Sequence, residues 1–419
     1  MKTPSAPFSS YQKIAIALLA VTQFTVILDF MVISPLGDFL MKSLNLHPHQ
    51  FGLAVSVYAF SAGASGLLTA GFADRFDRKK LLLFFYTGFI AGTVLCGLSH
   101  SYEVLLAARL ITGLFGGVIG SISLAIVTDL FSFEQRGRAM SFIQMGFSAS
   151  SVLGIPIGIY LATIWSWQAT FLMVAGLAIL TFVLISFKMQ PVNKHLGLQR
   201  DRSALSHLYH TIAKRNYRIG FSATAFMAIG GFMMMPFGSA FAINNLGVTP
   251  HELPLLFMVS GISSLGIMPL VGKMSDKYDK YTIFVCAAVF MMIFVVIYTH
   301  LSVSPLWYVM IFNVVMMAGI FSRIIPATAL TTAIPDVQDR GAFMSVNASL
   351  QQIAGGVAAG VAGMIIVQKD KHSPLEHYDW IGYVMVIISF ITIILMYRVN
   401  AMIKAKSARP REMVQEIPV

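Results

Sequence analysis

Long apolar runs alternate with short polar stretches along almost the whole chain. Because the hydrocarbon core of a bilayer is about 30 Å thick, a helix of about 20 apolar residues is long enough to cross it. Backbone groups cannot stay unpaired in hydrocarbon, and the sequence lacks the short alternating segments of a transmembrane β-barrel. We therefore predict an all-α membrane protein with twelve transmembrane helices, near residues 14–40, 51–72, 81–98, 104–130, 139–162, 168–188, 219–243, 252–274, 282–300, 305–333, 342–367 and 380–398.

The composition indicates that lipid is the main solvent of this chain. Of its 419 residues, 57% are hydrophobic and 11% are charged, whereas a soluble domain carries about 25% charged residues. The cysteines and histidines do not follow the spacing of metal ligands, so we expect no metal site and no cofactor.

The net charge of +11 reflects the topology of the chain. If the N-terminus is cytoplasmic, the outer loops carry only Lys42, Lys369 and Lys371, and the other loop lysines and arginines lie inside, as the positive-inside rule requires. We expect both termini in the cytoplasm of a cell membrane, a bacterial inner membrane by the short loops. Basic residues scattered over many loops do not predict nucleic-acid binding. The tryptophans are expected in an outer interfacial belt: Trp165, Trp167, Trp307 and Trp380.

The polar loop GFADRFDRKK (71–80) recurs in a related form as GKMSDKYDKY (272–281). The two loops are about 202 positions apart, and RGRAMS with RGAFMS and the Pro35 and Pro236 regions repeat at nearly the same distance. This predicts two parallel six-helix repeats. We expect a first bundle over 1–188, a basic cytoplasmic linker over 189–218, a second bundle over 219–398 and a cytoplasmic tail over 399–419.

These features resemble the major facilitator superfamily, and in particular its twelve-span drug:proton antiporters and sugar-efflux-permease-like exporters. The family signature after the second span is G-x-L-A-D-R-x-G-R-[RK], and the chain reads A-G-F-A-D-R-F-D-R-K from Ala70. The resemblance implies the twelve-helix facilitator fold and transport by alternating access. The resemblance covers nearly the whole chain.

The resemblance also implies a latch between the two halves on the inner side. A carboxylate at the end of the second span would accept hydrogen bonds from the free N–H groups at the start of the eleventh helix. The alternative is that these charges only stop transfer of the chain across the membrane. The latch candidates are Asp74, Arg75, Arg78, Arg136, Asp276, Lys277 and Arg340.

Three ionisable residues fall inside predicted spans, where charge is expensive and function is the default hypothesis: Asp29, Arg109 and Arg323. A buried carboxyl group such as Asp29 is suited to loading and releasing a proton, and the alternative is a structural pair with a nearby arginine. Arg109 and Gly113 fit a second family signature, R-x-x-x-G, and the resemblance implies a role in proton transfer. Arg323 would attract an anionic substrate, act in a gate, or snorkel to the inner headgroups.

Few polar residues fall in the spans that would line a central cleft, which favours an amphipathic or hydrophobic substrate over a sugar. Met233 and Met234 would give that cleft an adaptable apolar surface. We expect the substrate to contact Gln23, Tyr58, Met233, Met234, Asn313, Arg323, Gln351 and Gln352. Kinks or close helix packing are expected at Gly113, Gly154, Pro156, Gly158, Gly356 and Gly360.

We interpret the chain as a monomeric secondary transporter that exports a small amphipathic or hydrophobic compound in exchange for protons. Its expected partners are this substrate, protons and the lipid bilayer. An importer or uniporter of an anionic metabolite, using Arg109 and Arg323, is the main alternative. A membrane receptor or an enzyme is a further alternative, but the sequence has no nucleophile–base pair and no phosphate loop that would support an enzyme.

Overall fold

The computed structural model describes residues 7–69, 76–193, 196, 210–336 and 339–408. This part of the chain is helical apart from one isolated bridge between Val367 and Glu376. It contains 12 helices long and apolar enough to cross a membrane, as the sequence predicts. In chain order the spans are Ser10–Val32, Pro48–Thr69, Arg78–Gly97, Tyr102–Leu130, Gln135–Ile164, Trp167–Lys188, Arg215–Asn244, Leu253–Lys277, Lys280–Thr299, Leu306–Thr331, Arg340–Ile365 and Tyr378–Lys406.

The first and seventh spans are broken at matching places. The first helix, Ser10–Val32, is followed by a turn that contains Pro35 and by a short helix, Gly37–Leu44. The seventh span consists of Arg215–Phe232, a 3₁₀ turn over Met235–Phe237 and a short helix, Gly238–Asn244. Proline lacks the N–H that continues a helix, so each repeat bends at its own proline. The repeat seen in the sequence therefore corresponds to a repeated shape.

The two repeated polar loops begin the third and ninth spans in the same way. The Asp77 carboxylate accepts a hydrogen bond of 3.0 Å from the Lys80 N–H, and the Asp279 carboxylate accepts one of 3.0 Å from the Thr282 N–H. A side-chain acceptor at this position satisfies an N–H group that the helix leaves free. Asp77 thus caps a helix at a position where the family signature has glycine.

Three hydrophobic clusters hold the spans together. One lies within the first six spans and includes Tyr86 and Ile122, and a second lies within the last six and includes Phe343. The third joins both sets and includes Ile33 and Phe237. We call the side where Lys188 ends the sixth span and Arg215 begins the seventh the linker side, and the opposite side the far side.

Two expectations about the spans are wrong. One concerns the position of Trp167, and the other concerns the end of the twelfth helix. Trp167 is only 3% exposed and donates its indole N–H to Ser43 at 3.2 Å, so it packs under the short helix Gly37–Leu44 and does not face lipid. The other three tryptophans are exposed on the far side. The last helix continues to Ala408, past the expected end at 398, because Met402 and Ile403 pack against the hydrophobic cluster of the second half.

Candidate functional site

The charged residues of the first and fourth spans form an ion pair in the interior of the first half. Asp29 Oδ2 lies 2.8 Å from an Arg109 guanidinium nitrogen, and both residues are 0% exposed. The two residues are 80 positions apart in the sequence. The structure thus brings the two proton-coupling candidates together, in the pairing that the sequence left as the alternative.

Two further spans complete this site. Thr93 in the third span donates a hydrogen bond of 3.3 Å to the other Asp29 oxygen. The Arg109 guanidinium carbon lies 4.3 Å from the ring centroid of Tyr58 in the second span, a distance that allows a cation–π contact. A Cβ at Gly113 would collide with the Tyr58 backbone, so glycine permits this approach of the second and fourth spans. Because Nε of Arg109 has no partner, Arg109 is anchored mainly by Asp29 and Tyr58.

Tyr58 belongs to an aromatic triad that crosses from the first half to the second. The ring centroids of Phe30 and Tyr58 are 5.2 Å apart, and those of Phe30 and Phe232 are 5.9 Å apart. Gly355 in the eleventh span allows Phe232 to sit close, since an added Cβ would lie 3.0 Å from its ring. Phe30 directly follows Asp29 in the sequence. A movement of Phe232 relative to the first half would therefore change the contacts of Phe30 and Tyr58 beside the ion pair.

The remaining substrate candidates occupy different environments. Met233 and Met234 are buried in the cluster that joins the two sets of spans. Gln23 lies beside Gly120, and its Oε1 atom is buried without a hydrogen bond, as is Oε1 of Gln352. Asn313 donates a hydrogen bond of 3.0 Å to the Val309 carbonyl of its own helix. Gln351 is exposed, and Arg323 is 6% exposed.

Polar contacts between the halves close the far side. Ser34 donates to the Met235 carbonyl, and Ser239 donates to the Ser34 carbonyl at 2.9 Å. One helical turn further out, the Asn244 amide donates to Asp38 at 2.7 Å. Lys42 forms an ion pair of 2.8 Å with Asp38, which is 2% exposed.

Sequence reasoning missed this group, which we call the far-side clamp: Ser34, Asp38, Lys42, Ser239 and Asn244. A signal was available, because every member lies within nine positions of Pro35 or Pro236. The hydrogen bonds between the halves that the structure describes all lie in the part of the spans nearer the far side.

The latch candidates on the linker side are only partly covered by the structure. Asp74 and Arg75 lie outside the described residues. Arg78 pairs with Asp129 at 3.4 Å, and Arg136 donates to the Phe131 and Thr128 carbonyls, all within the first half. The candidates of the second half, Asp276, Lys277 and Arg340, are exposed. The latch stays a prediction.

Glycines line the contact between the second and eleventh spans. A Cβ at Gly52 would lie 2.7 Å from the Ala359 carbonyl oxygen, and one at Gly63 would lie 2.8 Å from that of Ser349. On the opposing face, an added Cβ at Gly356 would meet the Phe60 ring at 3.0 Å, and one at Gly360 would meet the Ser56 hydroxyl at 3.1 Å. The absent side chains allow the two backbones to approach closely. We call this contact the glycine seam.

The fifth span bends where the sequence places glycine and proline. A π-helical turn over Ser150–Gly154 separates the helix Phe133–Ala149 from the helix Ile155–Ile164, which begins with Pro156 near its first turn. Gly158 lets Thr170 of the sixth span approach, and its carbonyl accepts a hydrogen bond of 2.6 Å from that hydroxyl.

Comparisons with known proteins agree on one family. The model of the Major Facilitator Superfamily matches residues 19–237 and 220–417. An uncharacterised MFS-type transporter of Bacillus subtilis, YbcL, is 24% identical over 91% of this chain and 95% of its own. A probable sugar efflux transporter of Helicobacter acinonychis is 26% identical over 65% of this chain and 69% of its own.

Solved structures show the same fold at low sequence identity. A bacterial homologue of the human lysosomal transporter Spinster, in an inward-facing and unoccupied conformation, superposes with a TM-score of 0.77 at 15% identity, over 95% of this chain and 99% of its own. A D-xylose–proton symporter superposes with a TM-score of 0.74 at 18% identity, over 91% and 97%. At these identities the likeness concerns the fold alone.

Proposed function

The chain belongs to the Major Facilitator Superfamily and is a membrane transporter, not an enzyme, and on that premise we propose that it exports a small amphipathic compound in exchange for protons. The observation that carries this proposal is the buried pair of Asp29 and Arg109. The linker side would face the cytoplasm, as the distribution of lysine and arginine predicts.

The ion pair supplies a physical means of coupling. While Asp29 is charged, it neutralises Arg109, and the pair is tolerated in a buried site. When a proton binds Asp29 the ion pair is lost, and Arg109 is left as a buried charge, which is costly. The cost falls if the first and fourth spans shift relative to each other. A proton can in this way change the relative populations of two conformations.

The contacts between the halves support alternating access. The far-side clamp holds the two repeats together on one side, and the latch candidates of the second half are exposed on the other. This arrangement corresponds to a conformation closed on the far side. Breaking the clamp and forming contacts on the linker side would give the opposite conformation, as a rocking of the two halves about the glycine seam requires.

The substrate class rests on the aromatic triad. Phe30 and Phe232, which are partly exposed, would offer ring surface to an apolar part of the substrate, while Tyr58 is covered by Arg109. Export is favoured by the likeness to probable sugar efflux transporters. The same likeness favours a sugar as a second candidate substrate, for which the unbonded amide oxygens of Gln23 and Gln352 would be acceptors. An importer that uses both arginines is less well supported because Arg109 is already paired.

Proteoliposomes with an internal fluorescent pH indicator test the coupling. Three probes would be added in turn: ethidium, naphthalene-1-sulfonate and glucose. We expect at least one of the two amphipathic probes to drive proton movement in the wild type, and neither to do so in Asp29→Asn. If glucose alone drove proton movement, the substrate would be a sugar and not an amphipathic compound. If Asp29→Asn transported a probe with unchanged pH dependence, the coupling role of Asp29 would be refuted.

A further inference from the structure

The second half contains a buried arginine for which the described residues provide no counter-charge. Arg323 in the tenth span is 6% exposed, and the structure describes no hydrogen bond or ion pair for it. Its Nε atom is fully enclosed and has no partner. A buried charge without a partner is strongly unfavourable. Such a group persists where it acquires a partner during function.

Two more unsatisfied polar atoms lie at the same level of the second half. Phe221 of the seventh span and Phe343 of the eleventh span stack with ring centroids 4.7 Å apart. Thr224 and Asn347 follow these two residues by three and four positions, one helical turn further from the linker side and on the same faces. The Thr224 hydroxyl oxygen and the Asn347 Oδ1 atom are both buried without a hydrogen bond.

The tenth span brings Arg323 to that level. Ala327 and Leu330 belong to the same hydrophobic cluster as Phe221 and Phe343. Arg323 precedes them by four and seven positions, so the helical repeat puts it on the same face, one turn beyond the cluster. At a rise of 1.5 Å per residue, Thr224, Arg323 and Asn347 are all about 10–14 Å from the linker-side ends of their helices.

The first half shows that this lack of bonding is not a property of the fold. Thr22, which lies about 202 positions before Thr224, donates to the Leu18 carbonyl at 2.8 Å. Its neighbour Thr25 shares a hydrogen bond of 2.9 Å with the Tyr86 hydroxyl. At this level of the first half the two threonine hydroxyls are thus bonded internally, and the Gln23 amide oxygen is the buried atom left without a partner. Asn347 keeps part of its surface accessible, so the level in the second half is not sealed.

We propose that Arg323, Thr224 and Asn347 form a binding site for the anionic group of an amphipathic organic substrate, a carboxylate, sulfonate or phosphate. The guanidinium suits such a group because it is positively charged and can donate two hydrogen bonds to it. Phe232 follows Thr224 by two helical turns, about 12 Å, so the apolar part of the same molecule reaches the aromatic triad. This inference rests on the proposed transport function and specifies the charge of its substrate.

Ligand-induced thermal stabilisation of the purified full-length protein tests the site. The probes are benzenesulfonate and naphthalene-1-sulfonate, each compared with its uncharged sulfonamide at the same millimolar concentration. Binding to the folded state alone raises the unfolding temperature. We expect the sulfonates to stabilise the wild type and the sulfonamides to do so far less. Arg323→Gln should weaken sulfonate binding about tenfold or more, the loss expected for a charged hydrogen bond.

Two further variants separate a binding role from a structural one. Arg323→Lys keeps the charge and should retain most of the sulfonate response, which also guards against misfolding of Arg323→Gln. Arg398→Gln, which removes an exposed arginine of the last span, should retain the full response. If neither sulfonate stabilises the wild type, if the sulfonamides act equally well, or if Arg323→Gln responds like the wild type, the inference is overturned.

The same variants distinguish failure of this site from failure of the proposed function. If sulfonate binding depends on Arg323 but no proton movement occurs in proteoliposomes, the proposal of the anion site stands and the proposal of proton coupling fails. If ethidium is transported in exchange for protons but sulfonate binding does not depend on Arg323, proton coupling stands and the anion site fails.

Discussion

Each half contains a buried arginine, but the two arginines differ in whether the structure describes a partner for them. In the first half, Arg109 is held by Asp29 at 2.8 Å and covered by the ring of Tyr58. In the second half, Arg323 is nearly as buried, and the structure describes no partner for it. The halves derive from one repeated pattern, yet only the first neutralises its charge. This difference is the basis of our two proposals, a proton site in the first half and a ligand site in the second.

Breaking the pair in the first half should have the largest effect. Arg109→Met leaves the buried Asp29 without its counter-charge, so Asp29 must either stay an unpaired charge or bind a proton; removing one partner of a buried ion pair costs about 3–5 kcal/mol. We expect a large fall in the unfolding temperature of the purified protein. The double variant Asp29→Asn with Arg109→Gln should recover most of the loss, because it leaves no buried charge. A double variant as unstable as Arg109→Met would show that packing, and not charge pairing, makes this site important.

The matching change in the second half should act in the opposite direction. Arg323→Met replaces an unpartnered buried charge with an apolar side chain of similar length, so the free energy of unfolding should rise by about 1–3 kcal/mol, the cost of an unsatisfied polar group. Thermal unfolding without added ligand measures this. Destabilisation by a similar amount would mean that Arg323 has a structural partner, and the contrast between the halves would disappear.

Weakening the far-side clamp should shift the protein towards the conformation that is open on the far side. Asn244→Ala removes a hydrogen bond to the Asp38 carboxylate, and a charged hydrogen bond contributes about 1.5 kcal/mol or more, roughly a tenfold change in population. The reporter is Ala240→Cys, which is 0% exposed, in a Cys286→Ala background. We expect it to react about tenfold faster with a membrane-impermeant maleimide.

Asn245→Ala is the matched control for the clamp. In the part of the chain that the structure describes, the side chain of Asn245 bonds only to the backbone of Leu375, within the second half. Its loss should therefore leave the labelling rate of the reporter unchanged. Equal acceleration by both variants would indicate local loosening of the short helix and not opening of the clamp.

An exposed ion pair at the linker side should have the smallest effect. The Lys406 ammonium donates a hydrogen bond of 2.8 Å to Asp336 and holds the pKa of that carboxyl below its usual value. A lowered pKa gives stability that is present at neutral pH and is lost as the pH falls through the folded-state pKa. Because both side chains are more than half exposed, Asp336→Asn should cost less than about 1 kcal/mol.

Unfolding of the Asp336→Asn variant and the wild type at pH 7 and near pH 3 measures this pair. The difference should be present at pH 7 and shrink as the pH falls to 3, because the carboxyl binds a proton below its usual pKa. Asp370→Asn, on an exposed loop at the far side, is the matched control for the loss of a surface carboxylate. A difference that persists at low pH would assign the effect to the helix end and not to the charge.

The parts of this molecule that depend on length and local chemistry were predictable. Runs of apolar residues give the twelve spans, and Pro35 and Pro236 give the matching breaks. Asp29 and Arg109 stood out singly, but their pairing depends on how the first and fourth helices are rotated against each other, which no local pattern encodes. Asp38 and Asn244 were missed because a polar residue at a helix end is ordinary until another chain segment is known to face it.

The glycine seam has a consequence for the speed of the transport cycle. Where bulky side chains interlock, two helices can roll past each other only if rotamers change in step, and each such change adds to the barrier. Few side chains would have to separate along the seam, because it contains the glycines Gly52, Gly63, Gly356 and Gly360. The slow event of the cycle should therefore be the release of polar bonds at the clamp, and turnover should respond to substitutions there more than to those that leave the seam smooth.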